Sequence, residues 1–415
     1  MARLLFLVHR MPYPPDKGDK VRSYHLLRQL AAGHRVHVGC FVDDADDERH
    51  VDTLRAQCAG LYVRRLHPAA ARVASLAGLL EGEALTLRYY RDAAFGRWVR
   101  ETVRREGIDA VLVFSSSMAQ YAEGLGLPVL VDFVDVDSAK WSAYAPAHRW
   151  PLSWLYRREG ERLLAYERAV AARAERSYFV TDKETALFAR LAPECAARCE
   201  TLGNGVDAGY FAPDAQRPSP FRADEIALVF TGAMDYWPNV DAVGWFVREM
   251  LPALAARRPA LRLHIVGRQP APAVRALAGP GVCVSGTVPD VRPYLQHARV
   301  VVAPLRLARG VQNKVLEAMA MARPVVTAAA CAEAIDARVG VELLAAADAA
   351  GFVRELDALL AEPARAEAMG AAARRRVQQR YSWQAQLQAL DRHVAALARA
   401  PAGAAGATAS AAAAA

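Results

Sequence analysis

The sequence is poor in lysine and cysteine, and it has no hydrophobic run long enough to span a membrane. Lysine and arginine together number 52 of 415 residues, but only five of them are lysine. The six cysteines are scattered, without the paired spacing of a zinc site or of a disulfide framework. No apolar stretch approaches the roughly 20 residues of a transmembrane helix, and the apolar part of the N-terminus is too short for a signal peptide. We therefore expect a cytoplasmic protein.

The chain also lacks the motifs that bind two common classes of ligand. It has no RNP-like aromatic pattern and no long basic run, so its net charge of +8 does not indicate nucleic-acid binding. It has no G-x-G-x-x-G, so the fingerprint of a nicotinamide cofactor is absent. The basic balance instead suits phosphorylated ligands or an anionic membrane surface.

The order of apolar runs and helical patterns predicts an α/β fold in two halves. Short β-branched runs alternate with helical segments, one of them at 46–58, until a proline-rich segment intervenes and the alternation starts again. This pattern predicts two doubly wound, Rossmann-like domains that face a cleft. The predicted boundaries are an N-terminal domain at 1–206, a linker at 207–224, a C-terminal domain at 225–380, a helix at 381–399 that returns to the N-terminal domain, and a disordered alanine-rich tail at 400–415.

The segment Leu305 to Val326 reads as strand end, basic loop, short helix and strand. Lys314 and Glu317 lie three residues apart and so share one face near the start of that helix. A cation and a carboxylate beside exposed backbone N–H groups can hold a phosphate and a sugar hydroxyl together. A simple ion pair on a solvated face explains the spacing equally well.

The apolar run at 128–135 ends in Asp135-Val136-Asp137, which spells a D-x-D, a motif that can bind a metal–nucleotide complex. A role in orienting an acceptor, or as general base, fits Asp135 or Asp137 better than a metal site. Either aspartate could equally be the N-terminal cap of the following helix. His9, at the end of the first predicted strand, could contact an acceptor, although a hydrogen-bonded structural histidine is the better interpretation.

Residues 141–166 interleave aromatic residues with arginines. A surface helix lying on anionic lipid has this composition, with arginines at the head groups and aromatics at the interface. A long helix that packs its aromatics on the first domain and exposes its arginines is the alternative.

Several motifs resemble one family. Asn204-Gly205-Val206-Asp207 between the halves and LEAMAMARPVV at 316–326 are similar to the retaining glycosyltransferases of family 4, which have the GT-B fold. HRMPYPPDKGDKVRSYHLLRQL, VDFVDVDSAKW, FVTDKE and RGVQNKVLEAMAM together resemble a narrower branch, the sugar transferases associated with exosortase/PEP-CTERM exopolysaccharide loci. The resemblance extends to about Leu397.

The resemblance implies a transferase that moves a sugar, with retention, from a nucleotide-diphosphate sugar to a lipid-linked or oligosaccharide acceptor. The second domain would hold the donor and the first the acceptor, without a metal or other cofactor. Glu317 matches the glutamate that grips the ribose hydroxyls, and Lys314 would neutralise the diphosphate. Gly18, Gly232 and Gly267 match positions near the diphosphate. The other residues assigned to the donor site are Arg268, Thr287, Val288, Arg309, Gly310, Asn313 and Val315.

The chain departs from the common family pattern at two places. Arg309 stands where the pattern has a glutamate eight residues before Glu317. The usual Arg and Lys after the first strand of the second domain are missing from 232–239. We expect Arg306, Arg309 and Lys314 to supply that charge instead.

Two other functions remain open on the sequence alone. Non-hydrolysing epimerases of sugar nucleotides use the same two-domain fold and need cleft carboxylates, which DFVDVD could supply. A non-catalytic scaffold on the inner face of the plasma membrane would explain the loss of the glutamate at Arg309. We expect a nucleotide sugar, a saccharide or lipid-linked acceptor and anionic membrane as partners.

Overall fold

The computed structural model describes residues 1–15, 18–306 and 311–399. It divides into two compact units. Unit 1 comprises residues 1–203 together with the chain from Leu387 onward, and unit 2 comprises Asn204–Gln386. The predicted tail at 400–415 lies outside the described residues. No helix in the described ranges has the length and apolar character needed to cross a membrane.

Unit 1 is built on a seven-stranded parallel sheet with the order β3-β2-β1-β4-β5-β6-β7. Its central strands are buried on both faces by helices and are therefore continuously apolar. The strands are β1 Arg3–Val8, β2 Arg35–Val42, β3 Gly60–Arg65, β4 Ala110–Phe114, β5 Val129–Val134, β6 Arg176–Phe179 and β7 Cys199–Thr201.

The helices of unit 1 include one group that the sequence pattern did not predict, between β3 and α7. The helices are α1 Gly18–Gly33, α2 Ala45–Glu48, α3 Val51–Arg55, α4 Pro68–Ser75, α5 Ala77–Glu81, α6 Leu85–Tyr89, α7 Ala93–Glu106, α8 Asp137–Tyr144, α9 Leu152–Arg173 and α10 Asp182–Leu191. Short 3-10 helices occupy Ser116–Tyr121, Ala145–Ala147 and Pro193–Arg198. The single helix predicted at 46–58 is wrong, because the chain breaks between α2 and α3.

Unit 2 repeats the same topology with six parallel strands in the order β10-β9-β8-β11-β12-β13. The strands are β8 Ile226–Thr231, β9 Leu261–Val266, β10 Val282–Gly286, β11 Val300–Ala303, β12 Val325–Ala328 and β13 Leu344–Ala346. The helices are α11 Trp237–Glu249, α12 Leu251–Arg257, α13 Pro272–Arg275, α14 Arg292–His297, α15 Asn313–Ala320, α16 Ala329–Ala332, α17 Ala349–Ala361, α18 Pro363–Arg380 and α19 Trp383–Gln386. The prediction of two Rossmann-like doubly wound domains is confirmed.

The last helix, α20 Gln388–Arg399, packs on unit 1. Tyr178 Oη lies 2.6 Å from Nδ1 of His393, and Gln29 Nε2 donates to Asp391 Oδ2 at 2.6 Å. The chain reaches this helix from unit 2, where the Val206 N–H donates to Tyr381 O at 2.7 Å. The C-terminal helix thus returns to the N-terminal half, as the sequence predicted.

Candidate functional site

The candidate donor site of unit 2 lies at the carboxyl edge of its sheet, where the strand order reverses. β8 pairs with β9 on one side and with β11 on the other, and the connections after β8 and β11 leave in opposite directions. Open α/β sheets bind ligands outside this switch point. The loop after β8 contains Gly232, and α15 follows β11 with Lys314 in its first turn.

Two glycines bring the backbones of neighbouring loops into contact at this edge. A Cβ on Gly267, after β9, would lie 1.6 Å from the carbonyl oxygen of Gly232. A Cβ on Gly232 would lie 2.9 Å from Nζ of Lys314. Both residues have φ in the range that favours glycine, 154° and 157°. A side chain would clash at both positions, and the structure brings Gly232, Gly267 and Lys314 together.

The Lys314 ammonium is held by neutral groups. Nζ donates to Asn239 Oδ1 at 2.5 Å and lies 4.2 Å from the ring centroid of Phe230. The Asn239 amide is oriented in turn, because its Nδ2 donates to Ala233 O at 2.8 Å. Within the described residues Lys314 makes no ion pair, so its charge remains available to an anionic ligand.

Glu317 lies one turn further along α15 and is half-buried like Lys314. Burial raises the pKa of Glu317 to about 7, and the Lys314 charge opposes part of that rise. Burial lowers the pKa of Lys314 to about 8, with Glu317 opposing it in the same way. In the part of the chain that the structure describes, the Glu317 carboxylate makes no hydrogen bond or ion pair. The simple surface ion pair is therefore a poor account of this spacing.

Asn239 was not recognised in the sequence, since a neutral side chain carries no charge signal. It lies in the first turn of α11, in the segment where the common family pattern has its Arg and Lys. Thr231 was also missed. Its buried Oγ1, at the end of β8, has no hydrogen-bond partner within the described residues.

Arg306 is paired with a carboxylate. Its guanidinium binds both carboxylate oxygens of Asp241, at 2.5 and 3.0 Å, and lies over the ring of Trp245. Asp241 thus neutralises the Arg306 charge, which we expected to replace that of the missing Arg and Lys. Arg309 and Gly310 lie outside the described residues, and their assignment stays a prediction.

The other predicted donor residues differ in what they can offer a ligand. Arg268, directly after Gly267, is exposed, and its guanidinium makes no hydrogen bond or ion pair within the described ranges. Thr287 is exposed after β10, and Val288 packs on the core. Asn313 is exposed at the start of α15. Val315 is fully buried and its N–H donates to Gln312 O, so it supports the helix and does not face solvent.

At the carboxyl edge of unit 1, Asp135 and Asp137 share one lysine. Lys140 Nζ lies 2.9 Å from Asp137 Oδ1 and 3.7 Å from Asp135 Oδ2. Neither aspartate caps α8, because the N-cap is Val136 and it makes no side-chain cap. The structure shows no group of three potential metal ligands among the residues it describes. The D-x-D metal interpretation thus gains no support from the structure.

The remaining carboxylate of DFVDVD, Asp132, has a structural role. It is fully buried and accepts from Arg22 Nε at 2.7 Å and from Nη2 at 3.1 Å. A buried carboxylate in such a pair is not available as an acid or base for an epimerase. Of the three carboxylates of this motif, only Asp135 and Asp137 are partly exposed.

His9 and Gly18 have mainly structural surroundings. The His9 ring stacks on Phe114, and its Nε2 lies 3.4 Å from Asp19 Oδ2. Gly18 is the first residue of α1, and a Cβ there would meet nothing within 4 Å. No close backbone approach is therefore visible at Gly18.

Comparisons with known proteins agree with this geometry. Residues 225–362, about a third of the chain, match the family described as glycosyl transferases group 1. No curated protein matches the sequence. The matched segment contains Gly232, Gly267, Lys314 and Glu317.

Solved structures of low sequence identity share the whole fold. HepE of Anabaena, solved with UDP, has 16% identity and a TM-score of 0.67, with 95% of this chain and 100% of that chain covered. Sucrose-phosphate synthase of Thermosynechococcus elongatus has 19% identity and a TM-score of 0.67, with 96% and 99% covered. WaaG, a glycosyltransferase involved in lipopolysaccharide biosynthesis, has 17% identity and a TM-score of 0.59, with 94% and 98% covered. The likeness to these structures shows the GT-B fold, and the family match lies within the second of its two domains.

Proposed function

We propose that this protein transfers a sugar from a nucleotide-diphosphate sugar to a saccharide or lipid-linked acceptor. The observation that carries the proposal is the Lys314 ammonium, which has neutral partners and lies beside Gly232 at the switch point of unit 2. The Glu317 carboxylate, one turn away, has no hydrogen-bond partner among the described residues and is suited to accept hydrogen bonds from the ribose hydroxyls. HepE, which shares the fold, was solved in complex with UDP, and this supports a nucleotide as the ligand.

The chemistry of the reaction explains why a lysine with neutral partners is useful. Departure of a nucleoside diphosphate develops negative charge on the leaving phosphate oxygen. A fixed cation stabilises this charge without reorganisation, and it does so more strongly where water is excluded. The exposed Arg268 guanidinium, directly after Gly267, is available as a second cation. Transfer with retention requires little else, because the leaving phosphate can take the proton of an acceptor that attacks from the same face.

We assign the acceptor to unit 1. Asp135 and Asp137 are partly exposed carboxylates at its sheet edge, and we propose that one of them orients the acceptor hydroxyl. The four motifs of the exosortase-associated branch support a role in exopolysaccharide assembly on the cytoplasmic side of the membrane. The arginine-rich aromatic stretch at 141–166 is our candidate for contact with anionic lipid.

Nucleotide binding to the full chain tests the donor site directly. Calorimetry with UDP, GDP and ADP should find one tight binder. Lys314→Met should weaken that binding by about a hundredfold, as expected for a lost charge-assisted contact, and Glu317→Gln should weaken it by about tenfold. Lys183→Met and Glu333→Gln, at exposed positions on α10 and after α16, are matched controls that should bind normally. Unchanged binding by both site variants would sink the assignment.

The products distinguish the transferase from the alternatives. A transferase releases nucleoside diphosphate only when an acceptor is present. An epimerase would release an altered sugar nucleotide without any acceptor, and a scaffold would turn over nothing.

A further inference from the structure

Unit 1 exposes its large hydrophobic side chains in two segments. Within the described part of this unit, every such side chain except Met1 lies at 73–80 or at 144–154. They are Val73, Leu76, Leu80, Tyr144, Trp150, Leu152 and Trp154. Leu80 is 92% exposed and Trp150 is 80% exposed. Scattered single hydrophobics are normal on a surface, but two concentrated groups indicate an interaction site.

The first group forms a stripe along α4 and α5. Val73, Leu76 and Leu80 follow a spacing of three and four residues, which places them on one side of a helix. Leu76 joins the two helices and keeps helical torsion angles, with φ −59° and ψ −23°. The stripe therefore runs through the junction, and nothing within the described residues covers it.

Polar contacts fasten this stripe to the start of α9, which contains the second group. The Arg158 guanidinium donates to Gly78 O of α5 at 2.7 Å and to Glu83 O at 3.0 Å. The buried Glu159 carboxylate accepts from the backbone N–H groups of Leu85 and Thr86 at 2.7 and 2.8 Å. Trp154 lies one turn before Arg158, and Leu80 lies two residues after Gly78. These contacts bring α5 and the first turns of α9 next to each other.

Arginines without acidic partners lie in or beside these two segments. Arg72 adjoins Val73, while Arg149 and Arg157 flank the tryptophans of the second group. All three are exposed and make no ion pair within the described residues. The nearest exposed carboxylate on α9 is Glu161, which lies past the contact with α5. We call these three arginines and the seven hydrophobic residues the apolar–basic surface.

We propose that the apolar–basic surface docks on an anionic phospholipid bilayer, with α4–α5 as a second anchor beside residues 144–154. Tryptophan and arginine together are suited to this interface, since the indole rings lie at head-group level and the guanidinium groups attract anionic lipid. A second copy that paired through the same surface would oppose the three arginines with like charge. This docking does not depend on catalysis, because it can be measured without donor or acceptor.

Sedimentation of the full chain with vesicles tests the second anchor. Mixed phosphatidylcholine and phosphatidylglycerol vesicles should bind the protein, and phosphatidylcholine alone should bind it weakly. Val73→Ser with Leu80→Ser should lower the partition coefficient about tenfold or more, because apolar area at the interface is lost. Arg149→Glu with Arg157→Glu should lower it by a similar factor and weaken its salt dependence.

Matched controls separate docking from general effects. Val339→Ser, at an exposed valine of unit 2, and Arg104→Glu, on α7, should sediment like the wild type. Leu80→Ala, a milder change, should reduce binding by a smaller factor and retain the wild-type Tm and nucleotide affinity. If the Val73/Leu80 variant sediments like the wild type, α4–α5 is no anchor. A dimer in sedimentation velocity that this variant abolishes would assign the surface to a second copy instead.

Discussion

At the scale of single residues, Lys314 gains its importance from Asn239. A carboxylate in the place of the Asn239 amide would neutralise the ammonium. The neutral amide instead holds Nζ at 2.5 Å without neutralising its charge. Within the described residues no carboxylate forms an ion pair with this lysine, and Glu317 acts on it only through its charge one turn away.

Asn239→Asp should therefore weaken nucleotide binding, although it only replaces the amide nitrogen of the side chain with an oxygen. The new carboxylate would pair with Lys314 and raise the pKa of Lys314 above about 8. We expect the Kd of the bound nucleotide to rise by about tenfold, or about 1.4 kcal/mol.

In the wild type, binding should weaken as pH rises through about 8, when Lys314 loses its proton. In the variant this loss should move to higher pH. Calorimetry across pH measures both effects, and an unshifted profile with normal affinity would contradict the role of Asn239.

At the scale of elements, α8 and α9 are joined by a buried carboxyl group. Glu167 of α9 is fully buried and accepts from Ser138 Oγ of α8 at 2.5 Å. Burial raises the pKa of Glu167 from 4.5 to about 8, with Ser138 opposing the rise. The folded protein therefore holds this proton at neutral pH, whereas the unfolded chain releases it.

This proton makes stability depend on pH. The stabilisation is complete below about pH 4.5 and is lost as pH rises towards 8, because ionisation then favours the unfolded chain. Glu167→Gln is neutral at every pH, so its Tm should fall less than that of the wild type across this window. Differential scanning fluorimetry checks the prediction. Glu161→Gln, at an exposed position of the same helix, should follow the wild type. Parallel curves for Glu167→Gln would show that the group is ionised when folded.

The sequence predicted those helices and strands whose own residues form a recognisable pattern. Most strands of both sheets were found, because apolar β-branched runs end at polar loops. β7, which has only three residues, was missed. β3 was missed since its two arginines are exposed and its other residues are only half-buried. The helices α4 to α6 were missed because none of them has a side-chain N-cap. Contacts over long sequence separation, such as Arg306 with Asp241 at 65 residues, leave no local pattern. The sequence therefore identified Lys314 and Glu317 as candidate site residues. It did not identify the side chains that orient them or that neutralise charges nearby.

At the scale of the whole molecule, each unit has its own core. Leu390 of α20 and Leu356 of α17 are fully buried, in unit 1 and unit 2 respectively. Helix α20 completes unit 1 although the chain reaches it only after unit 2 is finished. Folding of unit 1 thus requires residues from both ends of the sequence.

Substitutions in the two cores should act on different thermal transitions. Leu390→Ala should lower the transition of unit 1, and Leu356→Ala that of unit 2, each by about 2 to 5 kcal/mol of unfolding free energy. Bound nucleotide should raise the transition that Leu356→Ala lowers, since ligand stabilises the unit that binds it. Scanning calorimetry of both variants, with and without nucleotide, makes the comparison. A rise confined to the transition that Leu390→Ala lowers would place the nucleotide in unit 1.

The scarcity of lysine gives Lys314 a further property. It is the only lysine between Asn204 and Gln386, so unit 2 contains a single primary amine. With a pKa of about 8, this amine is largely unprotonated in mildly alkaline solution, where ordinary lysines with pKa values of about 10.4 remain charged. An acylating reagent at such a pH should therefore mark unit 2 at one position. The rate of that labelling would report occupancy of the site without any variant.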